Sequence, residues 1–95
     1  MKEAEVKVVN LRGLHARAAA RLVQTANQFT SQIWLIRDNI QSDAKSILGV
    51  LLLAAPKGTV LKVRASGPDE EEAVRAIQQL FERGFYEEAT EESNE

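Results

Sequence analysis

The chain has 95 residues, with 12 Lys and Arg against 14 Asp and Glu, one His and no Cys. That length suits one domain with a modest core, and the lack of cysteine excludes disulfides, thiolate metal sites and thiol nucleophiles. No apolar run approaches the ~20 residues of a membrane span and residues 1–5 lack the apolar stretch of a signal peptide, so we expect a cytoplasmic protein with no membrane insertion.

Residues 5–9 alternate, with Val6 and Val8 on one face, and predict a strand. Gly13 marks a tight turn. From Ala16 to about Gln28 the period becomes helical, with Ala19, Leu22, Val23 and Ala26 on the core stripe. Residues 31–37 alternate again, Ile33 and Leu35 against Trp34 and Ile36. Asp38-Asn39 signals a hairpin turn into a short strand at 40–42. Ser46 then precedes the apolar run 47–53, read as a short helix with Ser46 as N-cap and with Ile47, Val50 and Leu53 toward the core. Residues 59–65 alternate as a strand with one wet face. Asp69 and Glu72 have the spacing of a capping box for a last helix, whose core stripe is Ala73, Ile77, Leu80 and Phe81 with Val74 beside it. Arg83 and Gly84 suit its C-terminal end.

The order is βαββαβα, an α+β fold. Half-buried alternating strands predict a four-stranded antiparallel sheet with three helices on one face, an open-faced β-sandwich. The domain is expected to span residues 1–85. Residues 86–95 contain five Glu and no base, and read as an acidic, disordered tail. Without them the body holds 12 basic and 9 acidic residues, a charge of +3, which is too weak for nucleic-acid binding.

The candidate site is Leu11-Arg12-Gly13-Leu14-His15-Ala16-Arg17, where a glycine-bearing loop meets a helix start. Such an end carries free N–H groups and favours anions. Arg17, in the first turn, is unfavourable to the bare helix dipole and makes sense beside an anionic partner. A phosphoryl group on His15 would be one, bonded by the N-terminal amides and the guanidinium fork. Histidine suits reversible phosphoryl transfer, because neutral imidazole attacks and protonated imidazole leaves. Against this, a lone histidine is more often simply packed or solvated. A metal site lacks ligands beside it.

These residues resemble the histidine-containing phosphocarrier (HPr) family of the bacterial phosphotransferase system over residues ~6–85. Gly13-Leu14-His15-Ala16-Arg17 is similar to its active-site signature. Lys45-Ser46-Ile47-Leu48-Gly49-Val50 is similar to its second signature, around a regulatory serine, and Gly67-Pro68-Asp69-Glu70-Glu71-Glu72-Ala73 to the opening of its last helix. The resemblance implies an open-faced sandwich and a relay without cofactor. His15 would accept a phosphoryl group at Nδ1 from enzyme I and give it to a histidine of an enzyme IIA domain. Arg17 would stabilise the group, and Ser46 would be the target of the regulatory kinase found in some bacteria. Such a carrier is its own substrate rather than a stand-alone enzyme. The family usually has proline where this chain has Ala18.

Ser46 also has a purely structural reading as an N-cap. Ala16, Ala20 and Gln24 on the first helix, with Leu48 and Leu51 on the second, form an expected docking patch beside His15. Arg17, Arg21 and Lys45 would ring it. A monomer is expected, since a relay protein must exchange partners. The alternative is a regulatory module of a nitrogen-type relay or of carbon-catabolite control, docking to kinases or transcription factors through Ser46.

Overall fold

The computed structural model describes residues 1–86. The strands are β1 (Lys2–Lys7), β2 (Gln32–Arg37), β3 (Ile40–Asp43) and β4 (Val60–Ser66). The helices are α1 (Ala16–Ala26), α2 (Ile47–Leu52) and α3 (Glu70–Glu82), and a short 3-10 turn covers Gly84–Tyr86. The strands form one antiparallel sheet in the order β1-β4-β2-β3. The expected βαββαβα sandwich is therefore the fold. The acidic tail anticipated at 86–95 lies, from residue 87 on, outside the described residues.

Alternation in the central strand β4 separates the two faces of the sheet. Leu61, Val63 and Ala65 are buried under the helices, while Val60 and Lys62 are exposed on the open face. On that open face Glu3, on β1, stands opposite Arg64. The Arg64 guanidinium donates to Glu3 at 2.5 Å and holds its carboxyl below the usual range. On the inner face α3 buries Ala73, Val74, Ile77, Leu80 and Phe81. Each large apolar side chain buried this way contributes roughly 1.5–3 kcal/mol. Phe85, beyond α3, is fully buried and meets Phe81 edge to face at 4.9 Å between ring centres. Helix α1 is rich in alanine, the best helix former, and buries Ala18, Ala19, Leu22 and Ala26 against the core.

Four local expectations are corrected. β1 starts at Lys2, not at residue 5, because pairing with β4 from Lys2↔Ala65 onward recruits a polar segment of low intrinsic strand preference. α1 ends at Ala26, where Asn27 closes it by donating to Val23 O from both backbone and side chain. In α2, Val50 and Leu53 are buried as expected, but Ile47 is 47% exposed and Leu51 takes its place against the core. The capping box does not form. Asp69 makes no side-chain cap bond, and Glu70, not Glu72, accepts from the Gly67 amide at 3.0 Å.

Asp69 instead joins α3 to the start of β2. Its carboxylate accepts from the amides of Thr30 and Ser31 at 2.9 Å each and from the Ser31 hydroxyl at 2.5 Å. The Ser31 hydroxyl, and then the Thr30 amide, hold its carboxyl down to about 2. Gly67 lies under this clamp at φ 151°, where a Cβ would sit 2.5 Å from Ser31 Oγ.

Candidate functional site

The loop between β1 and α1 is fixed from both ends. Buried Asn10 donates from its side chain to Gly13 O at 2.8 Å and accepts from the Gly13 amide at its own carbonyl at 3.2 Å. Leu14 N donates to Ala55 O at 2.9 Å. Gly13 has φ 70°, and a Cβ there would lie 2.5 Å from Ala55 O. Glycine answers both the backbone conformation and the close approach.

His15 follows as the N-cap of α1, with extended backbone at φ −84° and ψ −174°. Its Nδ1 accepts from the amide of Arg17 at 3.2 Å. A ring nitrogen that accepts carries a lone pair, so a neutral imidazole in this arrangement bears its proton on Nε2. The first intrahelical bond is Ala19 N to His15 O at 2.8 Å. The amides of residues 16–18 are therefore those the helix itself leaves over, and that of Arg17 is the one at Nδ1. Ala18 keeps a backbone N–H in this first turn, which a proline there would lack.

The guanidinium of Arg17 is exposed. Arg21, one turn on, is half-buried and donates to Phe85 O. Ala16, Ala20 and Gln24 form a row at four-residue spacing on α1, exposed at Ala16 and Gln24 and half-buried at Ala20. Beside this helix Leu48 is 68% exposed, whereas Leu51 is half-buried and packs into the core. Leu11 and Leu52 are also exposed, at 61% and 67%. Neither was assigned to the patch from the sequence, because exposure in a loop and on a short helix has no periodic signature.

Lys45, expected at the rim of the docking patch, lies just before α2. Its Nζ donates to Phe29 O at 2.8 Å, beyond the C-terminal end of α1. Leu14, at the N-terminal end of α1, bonds to Ala55 beyond the C-terminal end of α2. The two helices thus run antiparallel, and His15 and Ser46 stand at opposite ends of them. Ser46 caps α2 by accepting from Gly49 N at 3.1 Å. The structural reading of Ser46 as an N-cap therefore holds.

Asn10 is the site residue that sequence reasoning missed. Its signal was an Asn three residues before a turn glycine, a common local bonding pattern.

The family model for the phosphorylation site of the phosphotransferase-system HPr component matches residues 2–83. The phosphocarrier protein HPr of Xylella fastidiosa (strain Temecula1) is 51% identical over 87 residues, covering 92% of this chain and 98% of the relative. A crystal structure of HPr from Thermoanaerobacter tengcongensis superposes with TM-score 0.87 at 49% identity, over 90% of this chain and 96% of that one. A structure of an HPr dimer from the same organism superposes with TM-score 0.72, also at 49% identity, over 90% and 98%. With this identity along nearly the whole of both chains, and with the same fold, the chain belongs to the HPr family of phosphocarrier proteins of the phosphotransferase system.

Proposed function

We propose that Nδ1 of His15 is the atom that carries the phosphoryl group. The supporting observation is its hydrogen bond from the Arg17 amide, which leaves an in-plane lone pair directed at the helix start. In the forward step the N–P bond of a phosphohistidine on enzyme I breaks and a bond from His15 Nδ1 to phosphorus forms. The donor imidazole, already protonated on its other nitrogen, leaves as the neutral ring, and the phosphorylated His15 keeps its proton on Nε2. The three oxygens then take the place of Nδ1 as acceptors of the first-turn amides, and the Arg17 guanidinium offsets their charge. The group passes on when a histidine of an enzyme IIA domain attacks phosphorus and the bond from Nδ1 of His15 breaks, His15 leaving as the neutral ring with its proton on Nε2. Alanine at position 18 adds one donor to this cradle.

Docking uses the row Ala16, Ala20 and Gln24 with Leu48, and Arg21 at its edge. Leu51 supports the patch from below. Phosphorylation of Ser46 by a kinase would add ~1.5–2 negative charges. Since Ser46 stands at the opposite end of the helix pair from His15, that charge acts on a docked partner rather than on the imidazole. The protein works in the cytoplasm and as a monomer, although the T. tengcongensis relative has been crystallised as a dimer.

The test is incubation with phosphoenolpyruvate and enzyme I from the same source, followed by intact mass and acid lability. One acid-labile phosphoryl group, absent from His15→Ala, supports the proposal. No transfer from an enzyme I proven active on another carrier would leave the Ser46-controlled docking module as the better reading.

A further inference from the structure

We propose that the acidic segment 87–95 is an intramolecular ligand for the Arg17–Arg21 edge of α1. There it competes with the phosphoryl donors and acceptors that use the same edge. The second half of this statement rests on the phosphocarrier reading; the first does not.

After α3 the backbone turns at Gly84 and then holds Phe85 and Tyr86 at φ 57° and 63°. Two consecutive non-glycine residues with positive φ are uncommon, so the surrounding contacts must hold them there. Phe85 is sealed into the core against Phe81, and its carbonyl accepts from the Arg21 guanidinium. The chain therefore leaves the domain beside Arg21. It does not continue along α3, whose last residue, Glu82, is exposed and acidic.

Charge and reach fit the same site. Residues 87–95 carry five glutamates in nine positions and no base, whereas α1 carries two arginines and no carboxylate. Arg17 and Arg21 lie one turn apart on the same face. Arg21 uses one nitrogen on Phe85 O, and a guanidinium has five N–H donors in all. From Arg21 to His15 is six residues of helix, about 9 Å along the axis. Nine extended residues reach about 30 Å, so the first glutamates already span that distance. A short tether gives a local concentration in the millimolar range. Exposed ion pairs are individually weak, so the segment occupies the edge part of the time and is displaced by a docking partner. We expect an effect of about 2–5-fold rather than a block.

The experiment compares the full chain with a full-length variant carrying Glu87→Gln, Glu88→Gln, Glu91→Gln, Glu92→Gln and Glu95→Gln. Arginine Nε resonances and the amides of residues 15–21 are followed by NMR at low salt and at about 1 M, where the Debye length falls to ~3 Å. The proposal expects differences between the proteins at Arg17 and Arg21 that collapse at high salt. Identical spectra there, or differences confined to Arg83, overturn the docking. Phosphoryl transfer from phosphorylated enzyme I should be about 2–5-fold faster in the variant at low salt and equal at high salt; equal rates at both overturn the competition. If neither protein is phosphorylated, the carrier reading fails, while the spectra still decide whether the segment docks.

Discussion

Arg17 meets His15 through its backbone amide, which donates to Nδ1 at 3.2 Å, while its guanidinium stays exposed. One residue thus fixes the ring orientation with its main chain and leaves its side chain at the surface, where the proposed function assigns it the phosphoryl group. These two roles are separable. Arg17→Ala retains the amide, so the cap and the fold remain, with stability within about 0.5 kcal/mol. It removes a charge-assisted contact to the phosphoryl group, worth ~1.5–3 kcal/mol, so single-turnover transfer should fall about 10- to 100-fold. Unchanged transfer would remove the guanidinium from the mechanism.

Gly13 determines whether the loop can present His15 at all. Gly13→Ala places a Cβ 2.5 Å from Ala55 O at φ 70°, and the cost should be roughly 1–3 kcal/mol. Denaturant unfolding measures the loss. Transfer assayed well below the melting temperature should fall as well, because Leu14 N loses its alignment with Ala55 O. Wild-type stability would show that the loop is not constrained in this way.

The clamp between Asp69 and Ser31 predicts a pH signature. The Asp69 carboxyl is held down to about 2 from an ordinary 3.8. Below its ordinary value the unfolded chain takes up the proton before the folded one does, so acid favours unfolding. Its contribution is therefore complete above about pH 5 and disappears as pH falls from about 4 to 2. Asp69→Asn should be less stable than wild type at pH 7, and the gap should close as the pH approaches 2. Glu3 and Glu70 are also held low, by Arg64 and by the N-terminal amino group. Both proteins keep those slopes, so only the difference between the two curves tests the clamp.

Local residue chemistry made most of this architecture legible. The alternation of Leu61, Val63 and Ala65 and the stripe through Ala73, Ile77 and Phe81 each name a buried face without knowledge of the partner. The helix start at Ala16 and the glycine turn before it placed His15 correctly. What escaped was set by tertiary contacts. The spacing of Asp69 and Glu72 fits a capping box, but Asp69 bonds residues 38 and 39 positions away. Ile47 and Leu51 exchange roles because a six-residue helix is too short for its own period to decide which side is covered. Lys45, expected at the rim of the docking patch, directs its Nζ to Phe29 O, a contact 16 residues back along the chain that no local pattern announces.

Ser46 separates a structural from a regulatory role by substitution. Ser46→Ala loses the bond from Gly49 N and should cost ~1 kcal/mol. Ser46→Asp is an equally good cap and should melt within a few degrees of wild type. If Ser46 acts on docking, the Asp variant weakens association with enzyme I by an amount that shrinks with salt, while phosphorylation of His15 by a small phosphodonor is unaffected. Calorimetry or surface binding at two salt concentrations reads the difference.

Leu48 offers the complementary test on the apolar side. It is 68% exposed, so Leu48→Asp should leave the melting temperature nearly unchanged. The KM for phosphorylated enzyme I should rise about tenfold or more, as truncation of an interface centre commonly does. An unaltered KM would move the docking surface elsewhere.

The central claim concerns one atom, and NMR of the 15N-labelled phosphorylated chain addresses it directly. The account predicts a phosphorus–nitrogen coupling at Nδ1 of His15, together with downfield movement of the Arg17 and Ala18 amides as they bond to phosphoryl oxygens. A phosphoryl group on Nε2, or one on His15 that leaves those amides where they were, would contradict it.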